Sequence, residues 1–138
     1  MLKKEITYTN YNEEEVTVSE YFNLNKTQAM RYVSSNGGMD KYVQKLLDEK
    51  DNNKFIDFIE DLVWKAYGKR DPENPEVFDT SEEAKEAFTK TLAYDELVYE
   101  LLSKEGAFIE FFIGIMPKDI REKMQEQMKN QPQLKTNV

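Results

Sequence analysis

The sequence contains no cysteine and no histidine among its 138 residues. The first absence excludes disulfides and thiolate zinc sites, and it allows a reducing compartment without requiring one. The second removes the usual nucleophile–base pairs, so no catalytic triad can be built from the Asp, Glu, Lys, Arg and Tyr that remain. Glycine is scarce as well. Of five glycines only Gly37 and Gly38 are adjacent, and no Lys-Ser/Thr signature follows them, which excludes a phosphate-cradling loop. Long apolar runs are missing too: the richest, Ala107 to Met116, has ten residues and contains Glu110, too short to span a bilayer. The opening residues MLKKEITYTN enter a strand pattern rather than a signal-peptide core.

Positive charge is in deficit. Nineteen Lys and Arg stand against 27 Asp and Glu, a net charge of −8, and residues 71–110 hold twelve acids against three lysines. A phosphate backbone needs clustered cations, so nucleic acid is not an expected partner. The acidic stretch reads as a solvated helical surface, or as a docking face for a basic partner. The carboxylates Asp57, Glu60 and Asp61 fall on the polar face of one helix and do not interrupt its apolar stripe, so they are not read as metal ligands or acid/base groups. A calcium loop tried on Glu49, Asp51, Asn53 and Glu60 places Lys54 where glycine is needed. No metal, cofactor or membrane contact is expected, and the composition points to a binding protein rather than an enzyme.

What is present is one period-2 region followed by helical periodicity. In residues 4–24, Ile6 and Tyr8 share one face, Val16, Val18, Phe22 and Leu24 share another, and Thr7, Thr9, Thr17 and Ser19 make the opposite faces polar. Opposed residues point to the same side of a sheet, so uniting the apolar sets requires a loop of odd length. Three residues suffice, either Tyr11–Glu13 or Asn12–Glu14, with Asn12 suited to the left-handed position. Asn25 with Gln28 reads as a capping box behind Leu24, and SSNGG at 34–38 ends that helix. Met39, Tyr42, Val43, Leu46 and Leu47, then Phe55, Phe58, Ile59, Leu62 and Ala66, mark two amphipathic helices. Trp64 lies roughly opposite Phe55, either covering the hairpin or the following loop, or standing as an exposed contact.

Residues 68–80, with two prolines, read as the longest irregular loop. Thr80 with Glu83 suggests another capping box, and Tyr94, Leu97, Val98, Leu101 and Leu102 mark the next helix. The bulky side chains of AFIEFFIGIM, residues 107–116, cover about 200° of a helical wheel, where an ordinary surface helix covers about 100°. Only Ala107, Glu110 and Gly114 fall outside that arc. After Pro117 a sparse stripe of Ile120, Met124 and Met128 follows.

The expected fold is therefore α+β and mainly α: an N-terminal two-stranded antiparallel β-hairpin followed by a compact bundle of about six to seven helices. Residues 1–130 form a single domain and 131–138 a frayed tail. Phe55, Ile59, Leu62, Leu97, Val98 and Leu101 are expected in the core. Phe108, Phe111, Phe112, Ile115, Met116, Ile120, Met124 and Met128, with Trp64, are the candidate partner-binding residues: either the last helix folds back onto the wide apolar arc and satisfies both, or the arc and the thin methionine stripe leave apolar surface for an adaptable contact.

The order of the segments YFNLNKTQ, GGMDKYVQKLL, AYGKRDPENPEVF, SEEAKEAFTKTLAYDELVYELL and FIEFFIGIMPKDI resembles the tail assembly chaperones of long-tailed, siphovirus-type phages and prophages of Gram-positive bacteria. The resemblance covers residues 3 to 120. It implies a non-enzymatic role in virion morphogenesis: binding the tape measure protein, keeping it soluble, and helping recruit the tail tube protein. It also implies action in the cytoplasm of the bacterial host and absence from the mature virion; the hairpin, for its part, either caps the helical core or lends an edge for self-association. On residue chemistry alone an acidic inhibitor or DNA-mimic interaction module remains the alternative.

Overall fold

A computed structural model describes residues 1–33, 41, 44, 48 and 52–130, apart from the side chains of Val33, Asn52, Gln127, Met128 and Asn130. The expectations for residues 34–40, for the stripe Met39 to Leu47, and for the tail 131–138 lie outside the described residues. Among the described residues the chain runs β1 (Leu2–Thr9), β2 (Glu15–Phe22), α1 (Lys26–Val33), α2 (Asn52–Ala66), β3 (Tyr67–Asp71), β4 (Asn74–Asp79), α3 (Glu82–Thr89), α4 (Leu92–Ser103), α5 (Ala107–Gly114) and α6 (Lys118–Asn130). The class is α+β and mostly helical, with six helices among the described residues.

The N-terminal hairpin has the register that its apolar pattern demands. Ile6 faces Val18, Tyr8 faces Val16 and Leu2 faces Phe22 across an antiparallel ladder. The loop is Tyr11–Glu13, the first of the two three-residue solutions. It is closed by the Asn10 N–H donating to the Glu14 carbonyl at 2.9 Å and the Glu13 N–H donating to the Asn10 carbonyl at 3.0 Å. The left-handed residue is Glu13, at φ 63°, and not Asn12. Asn10 decides this: its side-chain oxygen accepts from the N–H groups of both Asn12 and Glu14, which fixes the start of the turn and pushes the positive φ to its end. Any residue with a Cβ is strained there, so Glu13→Gly is expected to raise the unfolding free energy by about 0.5–1 kcal/mol in urea denaturation. A loss of stability would show that Glu13 carries a contact the turn geometry does not account for.

The sheet corrects the two-stranded expectation. It has four antiparallel strands in the order β1-β2-β3-β4, because residues 67–79 form a second hairpin where 68–80 read as an irregular loop. Its link to the first is short: Tyr21 pairs with Gly68 and Phe22 with Tyr67. No period-2 apolar pattern announces β3 and β4, since most of their residues are exposed. Tertiary contacts hold them instead. The Tyr67 ring stacks on Phe88 at 4.2 Å, and its hydroxyl donates to the Glu20 carboxylate of β2. Burial first, and the Glu20 charge second, hold the Tyr67 hydroxyl well above the usual tyrosine range. Gly68 is required because any Cβ there would meet the Phe78 ring at 2.5 Å. The turn uses Asp71, whose side chain accepts from the Glu73 N–H at 2.9 Å, with Pro72 as the first central residue.

Helix starts are satisfied locally. The Asn25 and Gln28 side chains each accept from the other's backbone N–H, at 2.8 and 3.0 Å, as the capping box requires. The cap of α3 is Ser81 rather than Thr80, its hydroxyl accepting from the Ala84 N–H. Thr91 caps α4 in the same way through Tyr94.

The core lies between the sheet and helices α2, α4 and α5. Ile59 and Leu62 of α2 and Leu97, Val98 and Leu101 of α4 are buried, while Phe55 is half-buried against Phe108. Phe22, at the end of β2, is the meeting point: its ring lies 5.7 Å from Tyr67, 5.9 Å from Phe88 and 5.2 Å from Phe111, all edge-on.

Candidate partner-binding groove

Helix α5 is almost wholly apolar, and its position explains how the fold accommodates it. Gly106 enters at φ 83° and turns the chain sharply out of α4. Phe108 then meets Phe55 and Phe58 of α2, Phe111 meets Phe22 of the sheet, and Phe112 meets Tyr32 of α1. Three elements wrap the helix, so most of its 200° apolar arc is filled by the molecule itself. At its end the Ile115 carbonyl accepts from the Leu24 N–H at 2.8 Å, and Gly114 sits where a Cβ would come within 3.1 Å of the Leu2 side chain.

Of the candidate partner-binding residues, Phe108, Phe111, Phe112, Ile115, Met116 and Met124 are buried. A partner would reach them only by opening the fold. Ile120 and Trp64 are half-buried, and the side chain of Met128 lies outside the described residues. Met124 is the inward anchor of α6, which is otherwise mostly polar. The Arg121 N–H donates to the Pro117 carbonyl at 2.8 Å, and an exposed Lys26–Asp119 pair at 3.8 Å links the start of α6 to α1 without adding much stability.

The side of α5 with little bulk faces a hollow. Gly106, Glu110 and Gly114 are spaced four apart, one helical turn each, and beside them α5 and α6 enclose an open groove of about 610 Å³. Ile109, Ile113 and Gly114 form its apolar floor. Glu110 stands on one wall, and Arg121, Gln125 and Lys129 on the other. Ile109 is buried and Ile113 half-buried, while Glu110, Gln125 and Lys129 reach solvent. Chemically this is a trough for an apolar stripe, edged by one carboxylate and two cations that can pair with charges flanking the stripe. Sequence reading weights the bulky arc and passes over the opposite side; the four-residue spacing of Gly106, Glu110 and Gly114 is the signal that marks it.

A second hollow, of about 250 Å³, lies between Asn25, Gln28, Phe78 and Lys85, but the side chains of Asn25, Gln28 and Lys85 are already engaged. Asn25 and Gln28 cap each other, and the Lys85 ammonium, whose pKa burial pulls below the usual lysine range, donates to the carbonyls of Trp64, Lys65 and Tyr67. It is a structural joint. Among the described residues no three Asp or Glu converge as a metal site, and no helix is long and apolar enough to cross a membrane.

No curated protein and no solved structure matches the chain. A family model does, and it is described as phage tail assembly chaperone. Its match runs from residue 1 to residue 138, so the sheet, the helices and the groove between α5 and α6 all fall within it, and the chain belongs to the phage tail assembly chaperones.

Proposed function

We propose that this chaperone binds the tape measure protein through the α5–α6 groove, keeps that long helical client soluble, and helps recruit tail tube protein around it. The observation that carries the proposal is the groove itself. A floor of Ile109, Ile113 and Gly114 between two helices fits the apolar stripe of an amphipathic helix, and the small residues let its backbone come close. Glu110 on one wall and Arg121 and Lys129 on the other can register such a helix by its flanking charges. The role is non-enzymatic and is exercised in the host cytoplasm before the virion of a long-tailed phage is complete. The acidic middle of the chain, residues 71–110, then serves solubility while client is bound.

The proposal is tested by co-expressing the tape measure protein with the chaperone and measuring how much client stays soluble. Two variants fill or reverse the groove at exposed positions, Gln125→Trp and Glu110→Arg, so neither should disturb the core. Each is expected to weaken client binding about tenfold, the loss of one central contact worth about 1.4 kcal/mol, with an unchanged melting temperature. Client that remains as soluble with both variants as with the wild-type chain would remove the groove from the mechanism.

A further inference from the structure

The two edges of the sheet are built differently. The outer strand β4 is short, carries Pro75, and lies beside a register break between Arg70 and Asp71, all features that discourage another strand from pairing with it. The opposite edge, β1, has none of these. It is eight residues long, without proline, glycine or bulge, and its register against β2 is continuous from Leu2 to Thr9. The hairpin closure fixes which backbone groups are free. Asn10 and Glu14 form a hydrogen-bonded pair, so by alternation Tyr8, Ile6, Lys4 and Leu2 bond to β2, while the N–H and C=O groups of Lys3, Glu5, Thr7 and Thr9 point away. Among the described residues no backbone group meets that outward row.

We propose that a second copy of this chain docks on β1, strand to strand and antiparallel, about a two-fold axis through Lys4. Charge selects this register. On the exposed face Lys3 and Glu5 are two positions apart, so an axis at Lys4 sets Lys3 of each copy opposite Glu5 of the other. Leu2 then meets Ile6 on the inner face. The two Lys4 side chains approach at the axis, but each is already paired with a Glu100 carboxylate at 2.8 Å, so the four charges there sum to zero. An axis at Glu5 would oppose two carboxylates. An axis at Ile6 would set Lys3 and Glu5 against threonines, with no ion pair. The Lys4 register joins the two sheets into one of eight strands.

Sedimentation velocity over a concentration series tests the proposal, with a dimer of the wild-type chain expected. Lys3→Glu and Glu5→Lys, each of which opposes like charges, should both shift the chain to monomer. The double exchange Lys3→Glu with Glu5→Lys restores opposite charges in this register and should restore the dimer. Glu5→Pro removes an N–H that faces outward and so takes nothing from the β1–β2 ladder; it should be monomeric and still folded. A wild-type chain that stays monomeric at the highest concentration it tolerates overturns the proposal. So does a double exchange that stays monomeric beside a dimeric wild type, or a dimer indifferent to all four variants.

Discussion

Phe22→Ala is expected to lower the unfolding free energy by about 3–5 kcal/mol, the largest effect of any single truncation in this chain. Phe22 has no solvent exposure, and its ring contacts Tyr67, Phe88 and Phe111 edge-on. Those rings belong to β3, α3 and α5, so the truncation opens a cavity where the sheet, the short helix and the central helix meet. Each edge-on pair adds about 0.5–1.5 kcal/mol beyond simple burial, and the neighbours are themselves pinned, which limits collapse into the space. Urea denaturation with the slope held common to wild type measures the loss. A change below about 1 kcal/mol would mean that the three rings close over the cavity and that Phe22 is not the joint described.

Lys85→Met is expected to cost about 2–4 kcal/mol, although it keeps the unbranched shape and most of the length of the side chain and removes little beyond the ammonium. The Lys85 ammonium donates to the Trp64 carbonyl, to the Tyr67 carbonyl at 2.8 Å and more weakly to the Lys65 carbonyl at 3.4 Å. These carbonyls end α2 and begin β3, where a helix leaves its last acceptors unsatisfied and its dipole is negative. A cation from α3 therefore performs the capping that local sequence does not, and methionine leaves those acceptors without a donor in a largely buried place. The loss should concentrate locally: amide exchange in β3 and β4 should rise before exchange in β1 and β2. Stability within about 0.5 kcal/mol of wild type would show that water replaces the ammonium freely.

The legible parts of this fold are those encoded within a few residues. Ile6, Tyr8, Val16 and Val18 specify a hairpin by alternation alone, and the requirement that they share a face fixes an odd loop. Asn25 and Gln28 specify a helix start by a reciprocal pair of hydrogen bonds. The apolar stripes of α2 and α4 specify burial of Ile59, Leu62, Leu97 and Leu101. The second hairpin was not legible, because Tyr67 and Phe78 are held by Phe88, Glu20 and Gly68, contacts that alternation does not reveal. The DPEN sequence, with Asp at the first turn position and Pro at the second, was the available cue, and two flanking strands were the consequence.

The surface reading fell short for a related reason. A wheel treats a helix as having one buried side, so Phe108, Phe111 and Phe112 read as surplus, whereas α1, α2 and the sheet each take one of them. The hollow beside Gly106, Glu110 and Gly114 became apparent only once α6 was in place across from it.

The central claim, that α5 and α6 together seat the client, is tested most directly by amide hydrogen exchange on the full chain, alone and mixed with the tape measure protein proposed as its client. Binding in the groove predicts slowed exchange in residues 106–114 and 121–129, with the β1–β2 turn and the β3–β4 hairpin unchanged. Client binding that leaves those two segments at their free rates, and slows exchange elsewhere, would contradict it.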